Sequence, residues 1–421
     1  CMGEKAKPRK TFLYAGIAII VIAVLALAAL WPTLFPPAPP APSAPKPVKV
    51  VIWTAWTGGE YDALKAVVED FKAKNPNYEI DIVNVPFDQL KGKVIQAVPV
   101  GEGPDLFTGP HDWTGELAAA GVVVDISKEI AAFRGEYMES ALAGVELKGK
   151  VYGLPESIKL PALIVNKKLL PTPPKTLSEL WPLMDQFKAR GMYALAYDVM
   201  NAYFSSCWFY GLGAYYLDPN TLETALDSPG AVQAFEIIKR FSEYLPPDIG
   251  YDMMVNLFMN EKAAMAINGP WWIGDLKKKF GENLEGIEIT LIPAIDGKPA
   301  RPFMTVEAVF VTKNAADKGI LKEVVELARY ITGEASVKLA KLAGHVPTWK
   351  KALDDPAIKG DKVLAGFMQQ AQYGVPMPNV PEVAKMWEVT PAYITQVYQG
   401  KMSPSDAARA AAAELRAKLK G

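Results

Sequence analysis

Hydrophobic and polar positions alternate with two different periods along most of the chain. Apolar residues run almost continuously over 48–53, recur at helical spacing over 60–73, and occupy nearly every second position over 78–85. A helix at 88–98 and a short strand at 106–107 continue the same order. A chain that repeats strand, helix and strand folds as an α/β unit. The pattern therefore predicts a first α/β lobe with a parallel sheet.

The alternation starts again further along the chain and predicts a second α/β lobe. A capping box, Thr176-Leu-Ser-Glu179, opens a helix that Gly191 closes, and an apolar strand lies on each side of that helix. The other predicted strands and helices are strands at 163–166, 193–197, 263–267, 287–291 and 303–312, and helices at 228–244, 318–331, 335–342 and in the tail from 356, which is interrupted at 375–381.

Residues 1–31 depart from this pattern and predict a cytoplasmic basic tip followed by a transmembrane anchor. The apolar run over 12–30, about 19 residues at roughly 1.5 Å each, is long enough for a hydrocarbon layer about 30 Å thick. It ends in Trp31-Pro32 without a small-residue cleavage site, which favours a retained anchor over a cleaved signal sequence. The basic tip predicts that the rest of the chain lies outside the cell. Its residues are Lys5, Lys7, Arg9 and Lys10.

A proline-rich spacer is predicted at 32–47. About half of its residues are proline and almost none are charged. Such a segment favours an extended polyproline helix of about 3.1 Å per residue, so the spacer reaches roughly 50 Å. It would hold the folded part away from the membrane surface.

Charge and cysteine content exclude several classes of protein. The 45 Lys and Arg residues nearly balance the 46 Asp and Glu residues, and no basic stripe with interleaved aromatics is present, so nucleic acid is not expected as a partner. The two cysteines, Cys1 and Cys207, would lie on opposite sides of the membrane if the anchor spans it. No disulfide is therefore expected.

Aromatic and polar residues gather after the predicted strand ends. In the first lobe they lie at 55–60 and 108–113, and in the second lobe at 198–204 and at Trp271 and Trp272, which follow the turn Asn268-Gly-Pro270. Ligands of α/β sheets bind beyond the carboxyl ends of the strands. Two such edges facing each other predict a cleft. Its aromatic and hydrogen-bonding side chains are Trp56, Trp113, Tyr203, Phe204, Trp271, Trp272 and Trp387, with Asp112, Glu156, Lys159 and Asn201.

This set of side chains favours carbohydrate over catalysis. Sugars stack their C–H faces on indole rings and donate hydroxyl hydrogens to carboxylates. Nucleophile and phosphate-binding motifs are lacking, and two histidines with two distant cysteines do not make a usual zinc site, so no catalytic residue, metal or cofactor is expected. The carboxylates Asp112 and Glu156 leave a glycoside hydrolase open as an alternative.

Each of these residues also has a purely structural interpretation. A tryptophan is often a core residue, and Trp272 is expected in packing while Trp271 faces the ligand. Asp112 could cap the helix that follows it, and Lys159 could pair with Glu156. His345 is interpreted as structural, near a hinge.

Several separated motifs resemble one family, and they occur in the family's order from about residue 48 to the C-terminus. The chain is similar to the extracellular solute-binding proteins of ABC importers, and among them to the maltose/maltodextrin-binding proteins. The motifs are Val51-Ile-Trp53, Gly101-Glu-Gly-Pro-Asp105, His111-Asp112, Asn166-Lys-Lys-Leu-Leu-Pro171 with Pro173-Pro-Lys-Thr176, Asn260-Glu-Lys262, Ile267-Asn-Gly-Pro-Trp271, and Met377-Pro-Asn-Val-Pro381 before Trp387.

The resemblance implies a periplasmic-binding-protein-like fold of two α/β lobes joined by three crossings near Ile158, Met304 and Val346. The expected first lobe is 48–157 plus 304–346. The expected second lobe is 158–303 plus 347–421. The lobes of such a receptor close about the crossings when a ligand contacts both.

The resemblance also assigns site residues. Trp271, Trp387 and Tyr203 match stacking positions of maltose binders, and Asp112 matches a carboxylate that binds sugar hydroxyls. Other positions depart from the family. Trp56-Thr57-Gly58 stands in place of an Asp-Lys pair, Gly109 in place of a tryptophan, Trp113 and Pro391 in place of arginines, and Lys159 and Asn201 in place of glutamates.

The expected function is a monomeric, membrane-anchored receptor that binds a maltodextrin-type α-gluco-oligosaccharide outside the cell. It would deliver this sugar to the permease of an ABC transporter. Two alternatives stay open: a receptor for another sugar, or for a non-sugar solute such as a glycerophosphodiester whose binding would depend on Lys159.

Overall fold

The structure is a computed structural model that describes residues 10–35 and 47–420. It divides into two compact units, Cys1–Pro47 and Val48–Gly421. In the first unit, the described residues 10–35 form one helix, α1, at Lys10–Leu34. Within it, Gly16–Thr33 has a mean hydropathy of 2.4, which is apolar and long enough to cross a membrane. Most of the predicted spacer and nearly all of the basic tip, with Cys1, lie outside the described residues.

Thirteen strands are described in the second unit. They are β1 Val48–Thr54, β2 Tyr78–Asn84, β3 Leu106–Pro110, β4 Glu146–Leu147, β5 Lys150–Val151, β6 Gly153–Lys159, β7 Ala162–Asn166, β8 Tyr193–Ala196, β9 Ala263–Asn268, β10 Ile287–Thr290, β11 Phe303–Val311, β12 Val346–Pro347 and β13 Val375–Pro376.

Seventeen α-helices connect or follow these strands within 47–420. They are α2 Gly58–Lys74, α3 Phe87–Ala97, α4 Thr114–Ala119, α5 Glu139–Gly144, α6 Leu177–Ala189, α7 Ala202–Gly211, α8 Pro229–Phe241, α9 Tyr251–Met259, α10 Ile273–Phe280, α11 Lys313–Asp317, α12 Leu321–Thr332, α13 Ser336–Ala343, α14 Lys350–Leu353, α15 Pro356–Lys359, α16 Lys362–Ala371, α17 Val383–Tyr398 and α18 Pro404–Lys420.

The larger sheet has the order β12-β6-β11-β3-β1-β2, with β13 paired to β11. Strands β2 and β3 pair with β1 in parallel, as the alternating pattern predicts. Strand β11 is antiparallel to both β3 and β6, so the complete sheet is mixed. The reason is that β11 follows β10 of the second, smaller sheet, and the chain returns from there into the large sheet in the opposite direction. We call the part built on this sheet the first lobe.

The smaller sheet has the order β10-β7-β9-β8 and defines the second lobe. Strands β8 and β9 are parallel, whereas β7 is antiparallel to β9. In this register Ala162, the first residue of β7, pairs with Asn268, the last residue of β9. The chain that enters the second lobe therefore lies beside the turn that carries Trp271.

Each lobe has its own hydrophobic cluster. The first-lobe cluster covers the α2 and α12 sides of the large sheet and includes the stacked pair Phe107 and Phe310, whose ring centroids are 5.2 Å apart. The second-lobe cluster includes helices α7, α8, α17 and α18, which explains why the alanine-rich tail is helical: its small side chains pack closely on α8 and α17.

Three strands of the large sheet connect the lobes. Strand β6 leads into β7, β11 returns from β10, and β12 leads into the helices from α14 onward. Ile158, Met304 and Val346, where crossings are expected, lie in β6, β11 and β12. The exact division of residues between the lobes stays a prediction.

Candidate functional site

Trp271 lies just beyond the carboxyl end of β9, in the second lobe. Asn268 accepts a hydrogen bond from the Gly269 nitrogen at 2.8 Å, and Pro270–Trp272 form a 3₁₀ turn. The Trp271 ring folds back over Gly269, so a Cβ on that residue would lie 2.0 Å from the ring Cζ3 atom. A glycine is required there because any side chain would displace the indole.

The two adjacent tryptophans divide as expected between surface and core. Trp272 is 2% exposed and packs edge-on against Phe258 at 5.2 Å. Trp271 is partly exposed, and its Nε1 donates to the Tyr251 hydroxyl at 3.0 Å. That bond fixes the plane of the Trp271 ring.

Trp271 belongs to a continuous group of aromatic rings. Its centroid lies 6.2 Å from that of Tyr203, and the Tyr203 centroid lies 6.5 Å from that of Phe303. Phe303 in turn contacts Trp387 edge-on at 5.8 Å. We call these four residues, Trp271, Tyr203, Phe303 and Trp387, the aromatic wall. The four rings come from the turn after β9 and from α7, β11 and α17. Only the folded chain brings these distant segments together.

Asp112 reaches the aromatic wall from the first lobe. It lies on the 3₁₀ turn His111–Trp113 that follows β3, and its Oδ2 accepts a hydrogen bond from Trp387 Nε1 at 2.8 Å. Its Oδ1 is buried and has no hydrogen-bond partner in the part of the chain that is described. Asp112 makes no side-chain hydrogen bond to a nitrogen of α4, so it is not a helix cap here.

The free oxygen of Asp112 is a buried acceptor without a donor. Such a group is costly in the protein interior unless a ligand or water supplies a donor. Burial raises the pKa of Asp112 to about 7, against smaller opposing effects of the Trp387 hydrogen bond and of Lys91. A sugar hydroxyl that donates to Oδ1 would restore the missing hydrogen bond.

We expect Asp112→Asn to stabilise the ligand-free protein at pH 8 by about 2–4 kcal/mol and to have little effect at pH 4. A carboxyl whose pKa is higher in the folded chain destabilises the folded state progressively as pH rises from its unfolded pKa to about 7. Denaturant unfolding at the two pH values measures the difference. An equal effect at both would show that Asp112 does not ionise as a buried group.

Tyr203 and Asn201 stand at the start of α7. Asn201 caps this helix, with its side-chain oxygen accepting from the Tyr203 nitrogen at 3.0 Å, and its side chain is exposed. The Tyr203 hydroxyl donates to the Lys159 carbonyl oxygen and accepts from Thr305 Oγ1, both at 3.3 Å. Tyr203 therefore bonds to two of the strands that connect the lobes.

Trp113 is mostly an internal residue of the first lobe. It is 6% exposed, and its ring lies over Gly109, where a Cβ would be 2.8 Å from ring atoms. Phe87 is another neighbour. The centroids of the Phe87 and Trp113 rings are 5.4 Å apart, and Phe87 is 60% exposed. The ligand-binding role predicted for Trp113 stays a prediction.

Trp56, Glu156 and Lys159 belong to a buried network rather than to an open surface. All three are at most 6% exposed. Lys159 Nζ donates to Glu60 at 2.6 Å, so its partner is Glu60 and not Glu156, the pairing considered as its structural alternative. Glu156 lies instead 2.9 Å from His345 Nδ1. Thr57, next to Trp56, is exposed at the start of α2.

Five ionisable side chains make up this network, which we call the ion cluster: Glu60, Glu156, Lys159, Glu307 and His345. Its contacts include Trp56 Nε1 to Glu307 Oε1 at 2.9 Å and Lys159 Nζ to Glu307 Oε2 at 3.7 Å. Burial opposes the charged forms of Glu60, Lys159, Glu307 and His345. Lys159 and His345 outweigh burial at Glu60 and hold its pKa below the ordinary value, whereas burial dominates at Glu307 and raises its pKa.

The fold thus brings together some of the predicted residues and separates others. Trp271, Tyr203, Trp387 and Asp112 meet at one place between the lobes. Glu156 and Lys159 belong instead to the ion cluster, which Trp56 contacts through Glu307. Sequence reasoning missed Tyr251, Phe303, Glu60 and Glu307. Glu60 carries the only usable signal, since it lies three residues after Thr57 in the predicted loop.

Among the residues that the structure covers, no group of three or more His, Cys, Asp or Glu side chains could hold a metal ion. Cys207 is buried and unpaired.

Comparisons with known proteins found similar sequences and similar folds. Residues 66–366 match the family described as "Bacterial extracellular solute-binding protein". A maltotriose-binding protein from Pyrococcus abyssi (strain GE5 / Orsay) is 31% identical over 339 residues, which cover 78% of this chain and 72% of that protein.

Solved structures show the same fold. The Thermus thermophilus maltotriose binding protein bound with maltotriose has a TM-score of 0.80 and 28% identity, covering 88% of this chain and 100% of that chain. A cyclo/maltodextrin-binding protein complexed with maltotetraose has a TM-score of 0.71 and 31% identity, covering 90% of this chain and 99% of that chain.

Proposed function

Because this chain belongs to the family of bacterial extracellular solute-binding proteins, we propose that it captures an α-gluco-oligosaccharide and delivers it to the permease of an ABC importer. The observation that carries the proposal is the pairing of Asp112 with Trp387 between the lobes. This pair combines a flat indole, a carboxylate with a free oxygen, and contact across the cleft. Relatives named for maltotriose and maltodextrin support the α-glucan class.

Sugar binding would use the two parts of the site differently. The rings of the aromatic wall would stack on the apolar faces of glucose units, and Asp112 would accept from a hydroxyl through Oδ1. A sugar held by both lobes favours the closed state, because only contacts that differ between open and closed forms shift that equilibrium. The closed form would then be the one that the permease recognises.

The apolar helix α1 supports attachment to the membrane. We propose that it stays in the mature protein and holds the binding unit outside the cell. A cleaved signal sequence is the alternative, and mass spectrometry of the purified membrane-bound protein would distinguish them by the presence or absence of residues 10–35.

The buried contacts favour a receptor over the other candidate functions. Glu156 is fully buried and bonded to His345, which leaves it without the access that a catalytic acid of a glycoside hydrolase requires. Lys159 is held by Glu60, so its ammonium is not available for a phosphate group of a glycerophosphodiester. A sugar needs neither group.

A ligand panel tests the function. With the full chain in detergent, we expect maltotriose and maltotetraose to give saturable heat in calorimetry and to change tryptophan fluorescence. Trehalose, a β-linked galacto-oligosaccharide and glycerophosphocholine serve as comparison ligands. We expect no hydrolysis products after long incubation. Binding of only the galacto-oligosaccharide, or of only glycerophosphocholine, would replace the α-glucan assignment, and steady release of glucose would replace the receptor function.

A further inference from the structure

The ion cluster lies where all three connecting strands meet the first helix of the first lobe. Glu156 and Lys159 belong to β6, Glu307 belongs to β11, and His345 directly precedes β12. The fifth member, Glu60, comes from the first turn of α2. One network of hydrogen bonds thus joins every crossing between the lobes to the loop that begins at Trp56.

His345 is the residue that bridges this network. Its Nδ1 lies 2.9 Å from Glu156 Oε1, and its Nε2 lies 2.7 Å from Glu60 Oε1, while the side chain is fully buried. A neutral imidazole has one N–H and one lone pair, so one of its nitrogens would face a carboxylate without a proton between them. With a carboxylate on each side, only the imidazolium form lets both nitrogens donate.

The other charges around His345 are compatible with that form. Glu60 and Glu156 attract the imidazolium, Lys159 repels it, and the Trp56 ring packs edge-on at 4.9 Å. Glu307, on β11, lies 3.7 Å from Lys159 Nζ and partly neutralises the charge of that ammonium. Burial lowers the pKa of His345, but Glu156 and Glu60 outweigh burial and Lys159 and raise the pKa to about 9.

We propose that His345, as an imidazolium bonded to Glu60 and Glu156, couples the Trp56–Glu60 loop to the connecting strands and so sets how easily the cleft closes on its sugar. This rests on the proposed function. The cation joins the start of α2 to the third crossing through Glu60, and to the first crossing through Glu156. Loss of its proton leaves a lone pair against a buried carboxylate, and the two sides of that contact must then separate.

The coupling has a defined pH range. A group whose pKa is higher in the folded chain contributes most below its unfolded pKa, and this contribution is lost as pH rises through the folded pKa. For His345 the contribution is complete below about pH 6.5 and disappears around pH 9. Asp112 changes charge near pH 7, so a change of affinity between pH 8 and pH 10 does not come from that carboxyl.

Histidine NMR tests the protonation state directly, because the chain has only two histidines. In the second, His111, Nδ1 accepts from the Val306 nitrogen and burial lowers the pKa to about 4. With ¹⁵N-histidine in the full chain at pH 7, we expect one imidazolium with two protonated nitrogens and one neutral ring. Two neutral rings at pH 7 would overturn the proposal. Assignment uses His345→Gln, which must remove the imidazolium signals.

The dependence of sugar affinity on pH tests the coupling. For the wild-type chain we expect Kd for maltotriose to rise about five- to tenfold between pH 8 and pH 10. His345→Gln should bind more weakly at pH 7 and show a flat profile over the same range. Glu156→Gln keeps an acceptor for Nδ1 but removes a charge, so its affinity loss should begin at lower pH than in the wild type.

The outcomes separate this inference from the proposed function. Absence of maltotriose binding by the wild-type chain at pH 7 contradicts the function. Normal binding at pH 7 with the same pH profile for wild type and both variants contradicts the coupling alone. If His345→Gln does not fold, as judged by circular dichroism, the Glu156→Gln shift decides, and two neutral rings in the wild-type spectrum at pH 7 still overturn the proposal.

Discussion

Alanine at position 387 is expected to raise the Kd for maltotriose by about 30- to 1000-fold, equivalent to roughly 2–4 kcal/mol of binding free energy. Trp387 combines two functions in this structure. Its ring continues the aromatic wall beside Phe303, and its Nε1 donates to Asp112 across the lobes. The substitution removes a stacking surface and leaves both oxygens of Asp112 without a donor, so it weakens the sugar contact and the closed state together.

Two further variants separate these effects. Trp387→Phe keeps a ring but has no N–H, so it should recover part of the affinity, while the hydrogen bond to Asp112 stays lost. Trp349→Phe is the matched control: it is a partly exposed tryptophan whose Nε1 bonds to Glu136 in the first lobe, away from the aromatic wall. Calorimetry with maltotriose compares the three. Equal affinities for wild type and Trp387→Ala would remove Trp387 from the binding site.

Lys159→Met is expected to lower the free energy of unfolding by about 3–5 kcal/mol at neutral pH. The ammonium is buried between Glu60 at 2.6 Å and Glu307 at 3.7 Å, and burial alone would lower its pKa, yet these carboxylates raise it above the ordinary value. Methionine fills a similar volume but leaves two buried carboxylates without their cation. Guanidinium denaturation followed by tryptophan fluorescence measures the change.

A surface pair provides the comparison for this prediction. Lys168 lies 3.3 Å from Glu261, with 73% and 36% of the two side chains exposed. Lys168→Met should change the unfolding free energy by no more than about 0.5 kcal/mol, because water already solvates both charges. If Lys159→Met is as mild as Lys168→Met, the ion cluster does not hold the first lobe to the connecting strands as described.

The overall class of the protein was accessible from hydrophobic periodicity and from short motifs. Strand and helix periods differ strongly, so most elements from β1 to α18 were predicted close to their observed bounds. The α/β fold class and the family of extracellular solute-binding proteins are confirmed by the family match and by the solved relatives. Two helices beside the site, α7 and α9, were not predicted. Helix α7 has apolar residues on all of its own faces, so it shows no helical period, and α9 is short.

The different burial of Trp271 and Trp272 was also predictable from local chemistry. A strand followed by Asn268-Gly-Pro270 sends adjacent side chains in different directions, and only one of two neighbours can join the core. The meeting of Asp112 with Trp387 was not predictable, since these residues are 275 positions apart. They meet because β3 pairs with β11 and Phe303 of β11 contacts Trp387.

The amino-acid sequence by itself determined most of the elements, the α/β class, the apolar N-terminal helix and the solute-binding family, because each of these depends on spacing along the chain or on a short motif. Only the tertiary structure decided the partner of Lys159, the placing of Trp56 and Glu156 in the interior, and the bridge that His345 makes between Glu60 and Glu156. Hydrogen bonds and buried charges depend on distance in space, and strands from distant segments set that distance.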